Sequence, residues 1–429
     1  MPEPINVGII GFGIVGGGTY RALTENAEDI TRRAGAPVVV ARVADVDWSR
    51  PREMSIPKEL QTTDAMEMIR DPNIHVIVET IGGIKPARDF ILAAIENGKS
   101  VVTSNKELIA KHGHEILALA DQKGVDVEFE GAVGGVIPVI RTLKESLEAD
   151  RIYEVIGIVN GTTNYILTRM TEECLDFATA LKAAQDLGYA EADPTNDVEG
   201  IDSKYKISIL SAIAFGMQVS LDDIYSEGIT KITAQDIAYA RSMGYVIKLL
   251  AIARRGEGNQ IEARVHPALL RKSHPLANVN GSFNAIFIRG VGCDEIMLYG
   301  RGAGANPTGV AVAGDVLDCA RNKLRGASGR VLCTCGAPAE VLPMDEVETK
   351  AYIRMKVKDR PGVLGSIATI LGTEGVSLSS VHQEATDGDA AEIVWVTHRN
   401  KEKLLRSALG AIGNLAIVDD IASQLRVED

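Results

Sequence analysis

The sequence predicts an α/β protein in three parts: a parallel, doubly wound sheet, an α+β unit and a small βαββαβ module. Three observations predict it. Strand-like and helix-like runs alternate through residues 1–135, the order of a parallel sheet. From Gly244 onward a series of strand-like runs follows a group of helices, as in an α+β unit with one open sheet. The stretch 346–429 then reads strand, helix, strand, strand, helix, strand, the order of a ferredoxin-like split βαβ unit.

Composition narrows the function classes. A chain of 429 residues has room for two or three cores. A net charge of −13 without a basic block argues against a nucleic-acid partner, and only 4% aromatic residues leave few platforms for stacking bases. The start, MPEPINVGIIGFGIVGGG, lacks a basic n-region and has glycines through its apolar run, so it reads as neither signal peptide nor membrane span. No apolar run of spanning length occurs elsewhere, and a cytoplasmic protein is expected. The five cysteines (Cys174, Cys293, Cys319, Cys333, Cys335) are scattered and odd in number, which suits free thiols in a reducing compartment. Cys333 and Cys335 stand too close for the usual zinc pairing.

In the first unit, Ile5–Ile10 is a short apolar strand running into Gly11-Phe-Gly13-Ile14-Val15-Gly16. Between a strand and a helix (Ile14–Leu23) this pattern reads as a dinucleotide loop of the Rossmann type, with glycines for the tight turn and close pyrophosphate approach. The helix start offers free N–H groups to the phosphates. A second strand, Val38–Ala44, ends at Asp45, placed to accept from an adenosine ribose. Asp45 leans toward NAD, Arg50 and Arg52 would accept a 2′-phosphate, and the preference stays open. The polar stretch 25–37 accounts for the long spacing. The order continues with strand His75–Glu79, helix Pro86–Glu96, strand Ser100–Thr103, helix Glu107–Asp121 and strand Val125–Glu130. The tips at Thr80 and at Ser104-Asn-Lys106 should face a cofactor, because ligands of open α/β sheets bind beyond the carboxyl ends of strands. Lys106 is a cation at a helix start, where the dipole disfavours it, which suits a ligand-facing role as well as a plain surface position.

The middle unit starts with the glycine-rich loop Glu130–Pro138, whose backbone can turn carbonyls toward an ion or simply make a tight crossover. A helix ending near Glu148, a strand (Arg151–Val159) and a polar turn (Asn160–Asn164) capping the next helix follow. Helices at Asp176–Leu187 and Ile201–Phe215 flank GYAEADPTNDVEGIDSKYK, residues 188–206. On the second helix Asp202 and Lys206 share a face one turn apart. A carboxylate beside an ammonium, with Glu191, Asp193, Asp197 and Glu199 upstream, suits a small zwitterionic substrate; it also suits an acidic helix entry with a solvated ion pair. The strands Tyr245–Ala253, Ile261–His266, Ser282–Arg289 and Glu295–Tyr299 come next, then Gly300–Pro307 and a helix over 308–320. Arg321–Asp345 has little periodicity and reads as a linker. The calcium-loop pattern fails at Val198, where glycine is needed, and no HExxH or nucleophile triad occurs.

Taken together, GFGIVG, TSNKELIA, EGAVGGVIP, NGTTNYIL, the acidic stretch and GRGAGANPT resemble the homoserine dehydrogenase family in order and spacing. DRPGVLGSIATIL with VSLSSVHQ resembles an ACT domain, an amino-acid-sensing fold. The resemblance spans nearly the whole chain. It implies reversible interconversion of L-homoserine and L-aspartate 4-semialdehyde with NAD or NADP, on the way to threonine, methionine and isoleucine. It implies Lys206 as acid/base with Lys106 beside it, Glu191 and Asp202 as substrate carboxylates, and Asp197 in the same motif. Cofactor contacts fall on Gly13, Ile14, Val15, Thr80, Ser104, Lys106 and Gly302. A monovalent cation, sodium, falls on the carbonyls of Glu130, Val133, Gly135 and Ile137. The implied division is 1–135 (completed by 306–320) for cofactor, 136–305 for substrate and dimerisation, 321–345 as linker and 346–429 as regulatory domain. Homodimers or homotetramers and a threonine effector are the implied partners. An aspartate-semialdehyde dehydrogenase would need a nucleophilic cysteine in a cofactor-facing loop, which no motif supplies. A sensor without turnover would leave the two lysines and their carboxylates unexplained.

Overall fold

The computed structural model describes residues 2–52, 54–331, 336–385 and 389–428, so Cys333 and Cys335 lie outside the described residues. The first unit holds β1 (Ile5–Ile10), α1 (Ile14–Glu25), α2 (Ala27–Ala34), β2 (Val38–Ala44), β3 (Gln61–Thr62) and α3 (Ala65–Arg70). It continues with β4 (Val76–Glu79), α4 (Ala87–Glu96), β5 (Ser100–Thr103), α5 (Lys106–Lys123) and β6 (Val127–Glu128). The strands are parallel in the order β3-β2-β1-β4-β5-β6. Helices cover both faces, which is why β4 and β5 are buried along their whole length rather than alternating. The polar stretch after Glu25 is a helix, α2: its charges face solvent while Ile30 and Ala34 pack inward.

The chain reverses strand order between β1 and β4, and this switch point opens the crevice where α/β sheets bind ligands. At Gly16 a side chain is impossible, since its Cβ would lie 2.0 Å from the Gly11 carbonyl oxygen. The Thr80 hydroxyl closes the same turn from β4, 2.9 Å from that oxygen.

The middle unit begins with α6 (Val139–Arg141), which widens into a π turn over 142–146. It continues with β7 (Ile152–Ile158), α7 (Gly161–Glu173), α8 (Phe177–Asp186), α9 (Thr195–Val198), α10 (Ile201–Phe215), β8 (Met217–Gln218), β9 (Tyr225–Ser226) and α11 (Ala234–Ser242). Next come β10 (Tyr245–Arg255), β11 (Gln260–Arg271), β12 (Phe283–Gly290), β13 (Asp294–Arg301) and α12 (Ala305–Leu324). Helix α12 returns to the first unit and buries Val312, Val316 and Ala320 in its core. Gly18 and Gly309 permit this approach: a Cβ on Gly18 would lie 2.0 Å from the Ala305 carbonyl oxygen.

Segment 321–345 starts with the last turn of α12 and contributes β14 (Ala337–Pro338), parallel to β8, and β15 (Glu340–Val341), parallel to β11. The tail holds β16 (Glu348–Lys358), α13 (Val363–Thr373), β17 (Leu378–Ala385), β18 (Ala390–Thr397), β19 (Asn400–Lys401), α14 (Glu402–Gly413) and β20 (Val418–Glu428). Its sheet runs β20-β16-β18-β17, with both helices packed on one face around Trp395 and Ile367.

The expected open sheet of the middle unit is continued on its β11 edge. The sheet runs β13-β12-β7-β10-β11, and β20 then pairs in parallel with β11, Ala268 opposite Arg426 through Leu270 opposite Glu428. β9 and β15 take other parts of the same edge. An unpaired row of backbone donors and acceptors is a liability, and the tail module covers it. Buried charges fix the seam: Glu428 takes Arg254 at 2.8 Å and Arg264 at 2.9 Å, while Arg354 bonds Asp236 of α11 at 2.9 Å. Such pairs contribute little net stability, but breaking one leaves a buried charge, so they enforce one docking geometry.

Candidate active site

The site forms where the β5 tip of the first unit meets α7, α9 and α10 of the second. Residues 80–83 and 103–106 are tied together before any ligand is considered. The buried Glu79 carboxylate accepts from the Ile81 N–H at 2.8 Å and from the Thr103 hydroxyl at 2.6 Å. Asn105 caps α5 by accepting from the Leu108 N–H, and its amide donates to the Gly83 carbonyl at 2.6 Å. Lys106 is thereby held in the first turn of α5, with Ser104 beside it.

Asp202 is the centre of the arrangement. Its Oδ1 lies 2.7 Å from Lys106 Nζ, and its Oδ2 lies 2.7 Å from Lys206 Nζ, one helical turn along α10. Lys206 also donates to the Val159 carbonyl at 2.6 Å. These two acceptors use two of its three N–H groups, which leaves a third for a substrate oxygen. Asn160 adds a donor: its Nδ2 lies 2.9 Å from Asp202 Oδ2 and 2.7 Å from Asp197 Oδ1, while its Oδ1 caps α7 at the Thr163 N–H.

The two lysines share one carboxylate but sit in different surroundings. The Lys206 side chain is 10% exposed and that of Lys106 is 43% exposed. Burial lowers the pKa of Lys206; the Asp202 charge opposes this and the Lys106 ammonium reinforces it, with a lowered pKa as the result. For Lys106 burial also pulls downward, but Asp202, helped by Asp197 and Glu191, overcomes it and raises the pKa. Asp202 is buried, yet the two ammoniums hold its pKa below the usual carboxylate range. Asp197 is pushed upward by burial and by the Asp202 charge. One lysine is thus biased to lose its proton and the other to keep it.

Glu191 is exposed in the loop between α8 and α9, a loop tied to α7 by the Thr162 hydroxyl on the Tyr189 carbonyl at 2.6 Å. Its carboxylate is not bonded to the lysine pair, but its charge reaches Lys106. Of the expected cofactor residues, Gly13, Ile14 and Asp45 line a cleft of their own. Gly13 and Ile14 open onto it with Phe12, Gly17, Arg21, Asp45, Arg50 and Arg52 around them, and a Cβ on Gly13 would meet nothing. A cleft of this kind, with Gly11 and Gly16 shaping the turn and Thr80 closing it, fits a dinucleotide pyrophosphate at the α1 N-terminus. Val15 lies in the first turn of α1, and its carbonyl accepts from the Thr19 hydroxyl.

Asp45 is engaged within the protein. Its Oδ2 accepts from the Phe12 N–H at 2.8 Å, its Oδ1 from the Asp47 N–H at 3.2 Å, and Arg52 stands 3.3 Å away. Burial pulls its pKa up, but these backbone N–H groups and Arg52 lower it overall.

The glycine-rich loop packs between α12 and the end of β13. Glu130 turns its side chain to the Ile140 and Arg141 N–H groups, while its own N–H donates to Asp315 at 2.9 Å. Gly135, at φ +59°, abuts Gly302, where any side chain would collide with the carbonyls of Arg301 and Gly302. The Ile137 carbonyl accepts from the Val139 N–H at 2.8 Å and the Glu130 carbonyl from the Val133 N–H at 3.3 Å. Carbonyl oxygens carry two lone pairs, so these turns leave capacity for a cation, the donor chemistry that sodium takes. Among the described residues no group of three or more His, Cys, Asp or Glu side chains is arranged to hold a metal.

Two contributors went unpredicted. The Val159 carbonyl has no sequence signature. Asn160 had one, its place at a helix cap, but capping uses only its oxygen and says nothing of where the amide nitrogen reaches.

Residues 138–317 match the family model described as homoserine dehydrogenase, residues 11–130 the homoserine dehydrogenase NAD binding domain, and residues 351–416 the ACT domain. The homoserine dehydrogenase of Neisseria gonorrhoeae is 44% identical over 99% of both chains. That of Corynebacterium glutamicum is 45% identical over 99% of this chain and 96% of its own. A crystal structure of a homoserine dehydrogenase from Thiobacillus denitrificans superposes with a TM-score of 0.93 at 43% identity, covering 100% of this chain and 99% of that one. A hyperthermophilic archaeal homoserine dehydrogenase in complex with NADPH covers 75% of this chain and 98% of its own, with a TM-score of 0.64 and 27% identity. With both catalytic-region models and a C-terminal ACT domain matched in order, this chain belongs to the homoserine dehydrogenase family of NAD(P)-dependent oxidoreductases.

Proposed function

We propose that the protein interconverts L-homoserine and L-aspartate 4-semialdehyde. The observation that carries this reading is the Asp202 carboxylate bridging Lys106 and Lys206, each at 2.7 Å. Bound NAD(P) supplies the hydride acceptor or donor. Lys206 takes the hydroxyl proton when homoserine is oxidised and returns it to the aldehyde oxygen in reduction. Its lowered pKa suits the first task, because the base must be neutral. Lys106 stays charged and polarises the reacting oxygen from the cofactor side. Asp202 orients both lysines and, with Glu191 and Asp197, holds the amino-acid end of the substrate.

Gly11, Gly13, Ile14, Val15 and Gly16 hold the cofactor's pyrophosphate, with Thr80, Ser104 and Gly302 along its length. NADP is the preferred form on this reading: Asp45 is already engaged by the Phe12 and Asp47 N–H groups and by Arg52, while Arg21, Arg50 and Arg52 line the adenosine end of the cleft. The carbonyls of Glu130, Val133, Gly135 and Ile137 hold a sodium ion that stiffens the loop against Gly302. The ACT domain takes an amino-acid effector, threonine on the pathway reading, and copies of the chain pair as dimers or tetramers in the cytoplasm. We divide the labour as 1–135 with 306–320 for cofactor, 136–305 for substrate, 321–345 as connection and 346–429 for regulation.

The test follows reduced-cofactor absorbance with L-homoserine and NADP or NAD in parallel. Turnover with wild type, and a loss of about 10²–10⁴-fold in Lys206→Ala with the fold retained, is the expected result. Near-normal turnover of the folded Lys206→Ala variant sinks the assignment.

A further inference from the structure

Asn284 sits in β12 between Phe283 and Ala285, 1% exposed, with both its Nδ2 and its Oδ1 lacking a hydrogen-bond partner. Among the described residues it alone has both polar atoms of a buried side chain unmatched. A buried amide that has lost water and gained nothing is destabilising, so an unmatched one calls for an explanation. Asn164 of the same unit shows what a structural asparagine looks like. Its Nδ2 donates to the carbonyls of Val279 and Phe283, both at 3.0 Å, and its Oδ1 accepts from Lys248.

The place of the Asn284 amide is defined by two glycines. A Cβ on Gly302 would lie 2.0 Å from Nδ2, 2.2 Å from Cγ and 2.5 Å from Oδ1, so the amide fills the space a side chain there would take. A Cβ on Gly161, the first residue of α7, would lie 3.6 Å from Oδ1. Gly302 follows β13 and touches the glycine-rich loop, and Gly161 follows Asn160, which is wired to Asp197 and Asp202. The amide therefore lies between Gly302, which abuts the glycine-rich loop, and Gly161 at the start of α7, next to Asn160.

An asparagine presents an NH2 donor group and a carbonyl acceptor in a single plane, without charge. On the proposed function the amino-acid end of the substrate is complemented by Glu191, Asp197 and Asp202, and its reacting oxygen by the two lysines. The group an amide complements is another amide. We propose that Asn284 is a cofactor-positioning residue whose side chain pairs with the carboxamide of the nicotinamide ring. This rests on the reading that the cofactor runs from Gly13 past Lys106 to Gly302. It fixes the rotation of the ring, and with it the face presented toward Lys206.

The test measures binding, by the fluorescence of bound NADPH, for wild type and Asn284→Ala. Two further ligands accompany it: 2′-phospho-ADP-ribose, which lacks the nicotinamide, and the 3-acetylpyridine analogue, which lacks the amide donor. Asn284→Ala is expected to weaken NADPH about 10-fold, leave 2′-phospho-ADP-ribose unchanged and lose the wild-type preference for carboxamide over acetyl. Equal weakening of all three ligands overturns the pairing. So does unchanged NADPH binding, whether the KM for L-homoserine rises (a substrate contact) or nothing moves (a buried water). Should Asn284→Ala fail to fold, Asn284→Asp keeps the shape, removes the donor and faces the same criteria. A wild-type chain that binds neither NADPH nor NADH overturns the functional reading itself.

Discussion

Lys106 and Lys206 belong to regions built in opposite ways, and the contrast explains how one carboxylate serves two tasks. Lys106 comes from the tip of a parallel sheet, half exposed, in the first turn of a helix whose dipole opposes its charge. Only Asp202 and its acidic neighbours make that position tolerable, and they raise its pKa. Lys206 lies inside α10, whose apolar surroundings include Ile207, Ile209 and Leu210. There burial prevails over the same Asp202 and the pKa falls. Distance to the counter-ion is identical, so exposure and the second cation decide which lysine gives up its proton.

Removing the shared carboxylate breaks the comparison most severely. Asp202→Asn leaves two adjacent ammoniums without their counter-charge, and kcat/KM for L-homoserine should fall ~100-fold. The pH at which homoserine oxidation reaches half its plateau should move down, since neutral Lys206 becomes easier to form. A milder change sharpens the contrast from the other side. Lys106→Gln removes a like charge, so Lys206 should hold its proton longer and the same midpoint should move up by roughly 1 unit. Aldehyde reduction, which needs the protonated form, should lose activity through the same shifted midpoint as pH rises. Midpoints that stay put in both variants would show that the lysines are not coupled through Asp202. The smallest effect is expected far from the pair, in the cofactor cleft. Arg50→Gln should weaken NADP about 5-fold and leave NAD unchanged, as read by binding titration, because Arg50 is exposed and its charge is screened. Equal loss for both cofactors would assign Arg50 to structure instead.

Local patterns were legible where the chain interacts with itself at short range. Asp202 and Lys206 had to meet, because four residues on a helix make one turn. The glycine loop between β1 and α1 was readable for the same reason. Helix α11 carried a signal that went unused: Thr233 and Asp236 form a capping box. Asn284 is a polar residue inside the apolar strand FNAIFIRG, but its unmatched amide is visible only once Gly302 and Gly161 are in place.

The sequence by itself determined most of the longer strands and helices, the dinucleotide loop, the tail module and the residues of the acidic stretch, since each depends on periodicity, turn chemistry or a contiguous motif. Tertiary structure alone decided that Lys106 reaches Asp202 across 96 positions, that Asp45 is spent on the Phe12 N–H, and that β20 extends the β11 edge. It also decided the opposite pKa shifts of the two lysines. Burial and long-range pairing are sums over neighbours brought together by packing, and no local pattern in the chain specifies those neighbours.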